Sequence, residues 1–244
     1  MCGRYVSPEQ AAIEREYQID RTNSHLMLDA AIDQMFLQSF NVAPTDAVPV
    51  VRVIRQSEGK REAVLMRWGL IPFYAKGEPP KASTINATIE KLDSAPMWRG
   101  AWERGQRCIM PCSGFYEWQV LEGGRKQPYY IKPANAETFA LAALWDRSIP
   151  PSGEPIISCA VITMPANELL RDIHNAKQRM PAILQAENVE AWLTGSPEQA
   201  RAVLKPYPSD EMLAWPVSSR VNTPKNNDAT LIEPHREDEQ RALF

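Results

Sequence analysis

The chain is poor in the residues that usually announce a mechanism. It has four cysteines (Cys2, Cys108, Cys112, Cys159), too few for the disulfide framework of a small secreted protein. Cys108 and Cys112 lack a second ligand pair nearby, and His25, His174 and His235 are scattered, so no metal and no cofactor are expected. Glycine is scarce, 11 residues against 21 prolines, which favours rigid loops over long helices. Neither a phosphate-binding glycine loop nor a Gly-x-Ser-x-Gly elbow is present. No apolar run approaches the roughly 20 residues of a membrane span. No basic-then-apolar leader opens the chain either. The expected setting is reducing and cytoplasmic, with nucleoid association in a bacterium. A formal charge of −3 argues against indiscriminate coating of a polyanion but leaves room for a local cationic groove.

What is present is ordinary for a globular protein: 44% apolar and 23% charged residues over 244 positions. Apolar alternation predicts strands over 48–55, 62–68, 107–111, 114–120, 128–132, 138–145, 155–164 and 213–218. Helical spacing predicts helices over 8–19, 25–38, 94–104, 165–173, 187–194 and 196–204, with Ser94 capping the third. Trp98 and Trp102 should share one buried helical face. Residues 40–45 read as a turn and 57–60 as a hairpin turn. The loop from Trp68 carries Phe73 and Tyr74, aromatics free either to stack on bases or to anchor it in the core. The expected architecture is a single α+β domain over 1–234 with a largely antiparallel, curved or barrel-like sheet flanked by short helices. A charged, loose tail should follow over 235–244.

Chemistry is suggested at a few points. If Met1 is removed, Cys2 presents an α-amine and a thiol on one residue, with reference pKa values of roughly 7.7–8.0 and about 8.5. Such a 1,2-aminothiol condenses with an aldehyde, amine first to an imine, then sulfur closing a thiazolidine ring. On position alone Cys2 also reads as an ordinary residue of a frayed terminus. Glu117 lies within Phe115-Tyr116-Glu117-Trp118; it is either a desolvated carboxyl able to pass protons near neutrality or a solvent-facing strand residue. On an extended chain Phe115, Glu117 and Gln119 share one face, Tyr116 and Trp118 the other. His174 suits general acid–base work or a structural role, and with Lys177 and Arg179 it could meet a phosphate. Cys159 reads as core. Asn86-Ala87-Thr88 is formally a glycosylation sequon, without a secretion signal to make it one.

Several motifs in order carry a resemblance. They are Met1-Cys2-Gly3-Arg4, Asn41-Val42-Ala43-Pro44, Arg67-Trp68-Gly69-Leu70-Ile71-Pro72, Ile85-Asn86-Ala87, Gly114-Phe115-Tyr116-Glu117-Trp118, Ile173-His174, Arg179-Met180-Pro181 and Val217-Ser218-Ser219-Arg220-Val221-Asn222. Together they resemble the SOS-response-associated peptidase family, the abasic-site processing proteins. The resemblance implies a monomer that binds single-stranded DNA at abasic sites, with no membrane partner, and bonds the ring-opened sugar to Cys2 as a thiazolidine. It implies self-cleavage of Met1, hence a peptidase, with lyase-type Schiff-base chemistry in reach. Glu117 would shuttle protons, Asn86 would hold the site by hydrogen bonding, and His174 would bind near the lesion. Arg4, Asn41, Pro44, Trp68, Pro72, Lys177, Arg179, Asn222, Lys225 and Asn226 match DNA-groove positions. Two departures stand out. Thr88 replaces an arginine found in many members, and four residues separate His174 from Arg179, more than is common. A cysteine peptidase acting in trans and a non-covalent reader of damaged DNA are the alternatives.

Overall fold

Alternating apolar positions make this a strand-rich chain, and the computed structural model describes residues 2–19, 37–54 and 59–235. In chain order these hold β1 (Tyr5–Ser7), α1 (Gln10–Tyr17), β2 (Ser39–Val42), β3 (Ala47–Val53), β4 (Arg61–Trp68), β5 (Asn86–Thr88), α2 (Pro96–Glu103), β6 (Arg107–Cys112) and β7 (Gly114–Val120). The order continues with β8 (Lys126–Pro133), β9 (Phe139–Ser148), β10 (Ile156–Pro165), α3 (Glu168–Ile173), β11 (Arg179–Pro181), β12 (Ile183–Leu184), α4 (Val189–Thr194), α5 (Pro197–Ala202) and β13 (Met212–Pro216).

Strands β10, β4, β3, β6 and β9 neighbour one another in that order, and β9 returns to pair with β10, closing a barrel. All pairings around the ring are antiparallel except β10 with β4, and β5 also joins β10 in parallel. Its buried cluster includes Val48, Val50, Met66, Ile109, Leu141 and Val161. A second, wholly antiparallel sheet runs β13-β8-β7-β1-β2. Only Ser113 separates β6 from β7, so the two sheets share a corner. Gly114 is required there, because a Cβ would sit 2.1 Å from the Tyr130 ring. The fold is the expected single α+β domain with a closed, mostly antiparallel sheet and a few short helices.

Phe115 belongs to the main core, whereas Tyr116 packs with Val6, Tyr130 and Val217 in a second cluster, as strand alternation requires. Trp98 and Trp102 are both buried, and Trp102 meets Trp192 with ring centroids 6.1 Å apart. Ser94 does not cap α2. Ala95 holds that position without a side-chain bond, and Pro96, with its preset φ and no N–H to satisfy, opens the helix. Residues 39–42 are a strand paired with β1 rather than the start of a turn. The helix expected over 25–38 falls largely outside the described residues, as do positions 57 and 58 of the expected turn at 57–60 and the tail beyond His235.

Trp68 is a correction. It is fully buried, its Nε1 donates to Ile85 O at 3.0 Å, and Tyr5 meets its ring edge-on at 5.5 Å. The loop that follows is tied down through its backbone. Gly69 N, with φ +128°, donates to Cys159 O, Leu70 N donates to Thr84 O, and Ile71 N donates to the Ser158 hydroxyl. Pro72 is buried too. Neither side chain presents a surface to a nucleic acid; Phe73 and Tyr74, just beyond, are half exposed. Trp68→Ala should destabilise the fold by about 3–5 kcal/mol, read from denaturant unfolding, as for a large core aromatic.

Candidate functional site

Strand β1 lies between β2 and β7, in register Tyr5 with Phe115, and this pairing carries Cys2 into the interior, where it is 1% exposed. Asn86 opens β5 beside Val161 of β10 and donates from Nδ2 to the Cys2 carbonyl at 2.8 Å. The Asn86 Oδ1 is buried and has no hydrogen-bond partner among the described residues.

Glu117 projects from β7 on the Phe115 face and is 2% exposed. Burial pushes its carboxyl up to about 7, against the pull of the chain's positive amino terminus and of Lys177. His174 ends α3, with Nδ1 at 2.9 Å from Arg179 O and 3.6 Å from Glu117 Oε1. A carbonyl only accepts, so the neutral imidazole carries its proton on Nδ1 and Nε2 is its basic nitrogen. Burial lowers the His174 pKa, partly offset by the Arg179 carbonyl. Both groups are thus driven toward their uncharged forms, and their 3.6 Å approach is a close contact rather than a fixed ion pair, since Nδ1–H is given to Arg179 O. The Cys2 thiol is pushed well above its usual range, first by burial and then by Glu117. It rests as a thiol and needs a base to become a nucleophile.

Above this group opens a cleft of about 430 Å³ lined by Glu117, Trp118, Val120, Lys126, His174, Ala176, Lys177 and Asn222. Trp118 donates from Nε1 to Asn222 Oδ1 at 2.8 Å, fixing an aromatic wall. Lys126 and Lys177 are exposed on the rim, a local cationic character that the net charge of −3 conceals. Sequence reasoning missed Lys126 and the cleft role of Trp118. Lys126 lies outside the strand expected over 128–132, and its pairing with Val120 across β7 and β8 is visible only in the fold.

Other expected contacts are committed elsewhere. Arg4 donates to Asn41 Oδ1 at 2.8 Å, to Val221 O at 3.1 Å and to Asn222 O at 3.4 Å. The Asn41 amide donates to Val221 O, Thr223 O and Asn226 O. Asn41, 3% exposed, is therefore a clasp that fastens residues 219–226 to the N-terminal strands, not a groove contact. Arg179 forms a bidentate pair with Glu90 at 2.6 and 3.0 Å and donates to Thr163 O at 2.6 Å, so its charge is already neutralised. Asn222 stands in the cleft wall, while Pro44 is half-buried, Lys225 exposed, and Asn226 bonded to Arg220 O.

The sequence profile of SOS response associated peptidases (SRAP) matches residues 1–224. The chain belongs to the SRAP family. The abasic site processing protein YoqW of Bacillus subtilis is 38% identical over 239 residues, 96% of this chain and 100% of its own. HMCES of Gallus gallus, also named an abasic site processing protein, is 31% identical over 266 residues, 96% of this chain and 78% of its own. A crystal structure of a protein from Bacteroides thetaiotaomicron matches with TM-score 0.82 and 28% identity, covering 97% of this chain and 100% of that one. Another, from Bordetella bronchiseptica, matches with TM-score 0.73 and 28% identity, covering 89% and 100%. Within the SRAP fold, Cys2, Asn86, Glu117 and His174 come together although 172 positions separate the first from the last (174 − 2).

The raised Glu117 pKa carries a stability signature. Between its ordinary 4.5 and about 7 the folded chain holds a proton that the unfolded chain has lost, so stability falls as pH rises through that window. Above it the loss is of the order of 3 kcal/mol. Glu117→Gln should therefore raise the melting temperature by several degrees at pH 8 and leave it nearly unchanged at pH 4.5.

Proposed function

We propose that this SRAP protein processes abasic sites by holding single-stranded DNA in the Trp118–Lys177 cleft and bonding it covalently through Cys2. The observation that carries this reading is the buried N-terminal cysteine, anchored by Asn86 through its carbonyl and set beside the buried Glu117 and His174 side chains. The names of the SRAP relatives support the same substrate.

The proposed reaction has two stages. In the first, Glu117 takes the thiol proton and Sγ attacks the Met1 carbonyl carbon. The bond to the Cys2 nitrogen breaks, leaving a thioester and a free α-amine, and water then hydrolyses the thioester to release methionine. The buried Asn86 Oδ1 offers an acceptor for the new amine. In the second, the amine adds to the C1 aldehyde of the ring-opened abasic sugar and loses water to give an imine. Sγ then adds across the C=N bond, closing the thiazolidine with no further loss of atoms. Proton transfers at each step suit a carboxyl near 7 and an imidazole held neutral.

DNA lies along the cleft by stacking on Trp118 and by phosphate contact with Lys126 and Lys177. These lysines replace the charge absent at Thr88 and the charge Arg179 gives to Glu90. Lys177→Ala should weaken single-strand binding uniformly across sequences and lower the salt slope of log K by roughly 1.

Incubation with an oligonucleotide bearing one abasic site tests the chemistry. The wild type should give a heat-stable adduct in denaturing gels and Cys2→Ala none. Cys2→Ser should give only an imine that needs borohydride to trap, and Glu117→Gln should slow the reaction about 100-fold. An undiminished adduct from Cys2→Ala would sink the proposal.

A further inference from the structure

Strand β7 pairs with β1 through Gly114 and Phe115, with Tyr116 N donating to Arg4 O just beyond, while it pairs with β8 along its length to Val120. Its far half would therefore present backbone N–H and C=O groups on an open edge. Asn175 covers that edge. Its Oδ1 accepts from Val120 N at 3.0 Å and its Nδ2 donates to Val120 O at 3.0 Å, so the side-chain amide acts as a one-residue strand partner. Beside it, Gln119 Nε2 donates to Asp172 O at 3.2 Å. Together these bonds fasten the end of α3 and the segment after it to the strand that carries Glu117.

We infer that Asn175 is a positioning residue that holds His174 against Glu117, a role that rests on the acid–base function proposed for that pair. Residues 175–178 are all exposed, and this longer segment has little packing of its own to fix it. It closes as a tight turn in which His174 O accepts from Lys177 N and Gln178 N, with Gln178 at φ +50°. Arg179 O then meets the imidazole Nδ1 at 2.9 Å, and the Glu90 pair holds Arg179 in place. His174 is thus gripped from the Arg179 side by one carbonyl and from the β7 side by the amide of its neighbour. Without the Asn175 clamp His174 keeps its backbone bond to Leu170 O and the Arg179 carbonyl but loses the nearer of its two ties to β7, and small misplacement of an acid–base group is enough to slow a reaction substantially. The clamp also sets Lys177 on the cleft rim, so binding and chemistry must be measured separately.

The test compares wild type, Asn175→Ala and Asn175→Asp, each also in a His174→Ala background. At saturating abasic single-stranded DNA, Asn175→Ala should lower the first-order crosslinking rate roughly 10-fold or more, with the unfolding midpoint nearly unchanged. Asn175→Asp keeps the acceptor for Val120 N–H and should recover part of the rate. In the His174→Ala background Asn175→Ala should add nothing, because both changes remove one contribution. A wild-type rate for Asn175→Ala, or full additivity with His174→Ala, overturns the inference. A second readout needs no DNA: the His174 Nδ1–H proton resonance should lose its exchange protection in Asn175→Ala and keep it in Asn175→Asp. If that resonance is unchanged, the inference fails even where crosslinking proceeds. If it is lost while wild type forms no adduct, the inference stands and the crosslinking proposal falls.

Discussion

The arrangement depends on the burial of the chain's own beginning. Terminal residues usually fray because they make too few contacts to offset their conformational freedom. Here β1 sits inside a sheet, Tyr5 is fully buried against Trp68, and the Cys2 carbonyl is held by Asn86. That single placement brings a thiol into a dry environment and raises its pKa, and the same environment lifts Glu117 toward neutrality. Both shifts have one cause: the fold accepts a carboxyl and a thiol where water is excluded.

The barrel makes this tolerable by supplying rigid neighbours. Strand β10 is the common support: β5 brings Asn86 on one side, β11 brings Arg179 from the other, and β4 delivers the Trp68 loop. The second sheet contributes Glu117 and Trp118 from β7 and Lys126 from β8. Groups drawn from different elements are therefore fixed relative to each other by backbone pairing rather than by flexible loops. The turn after His174 and the segment 219–226 lie outside the strands. Each is fastened by an asparagine, Asn175 for the first and Asn41 for the second.

Long strands such as 114–120 and 155–164 were legible in the sequence because alternation over seven or more residues has few competing explanations. Strands of two to four residues, β1, β2, β5, β11 and β12, were not, since they carry too little pattern and exist only through their partners. The chemical group was legible from motifs rather than periodicity, and Cys2, Asn86, Glu117 and His174 do share one place. The DNA contacts were read less well for a physical reason. A motif marks what a fold needs as readily as what a ligand needs, and Trp68, Pro72, Asn41 and Arg179 are spent on packing, clasping and an ion pair. Lys126 belonged to no motif, and only the register of β7 with β8 places it at the cleft.

The central claim is that one residue supplies both bonds to the lesion. Mass spectrometry of the protein after reaction with a short abasic oligonucleotide, followed by nuclease and protease digestion, tests it most directly. The account predicts a modified peptide that begins at Cys2, lacks Met1, and weighs the sum of peptide and sugar remnant less one water without any reductant. Modification on a lysine, or a modified peptide that still carries Met1, would contradict it.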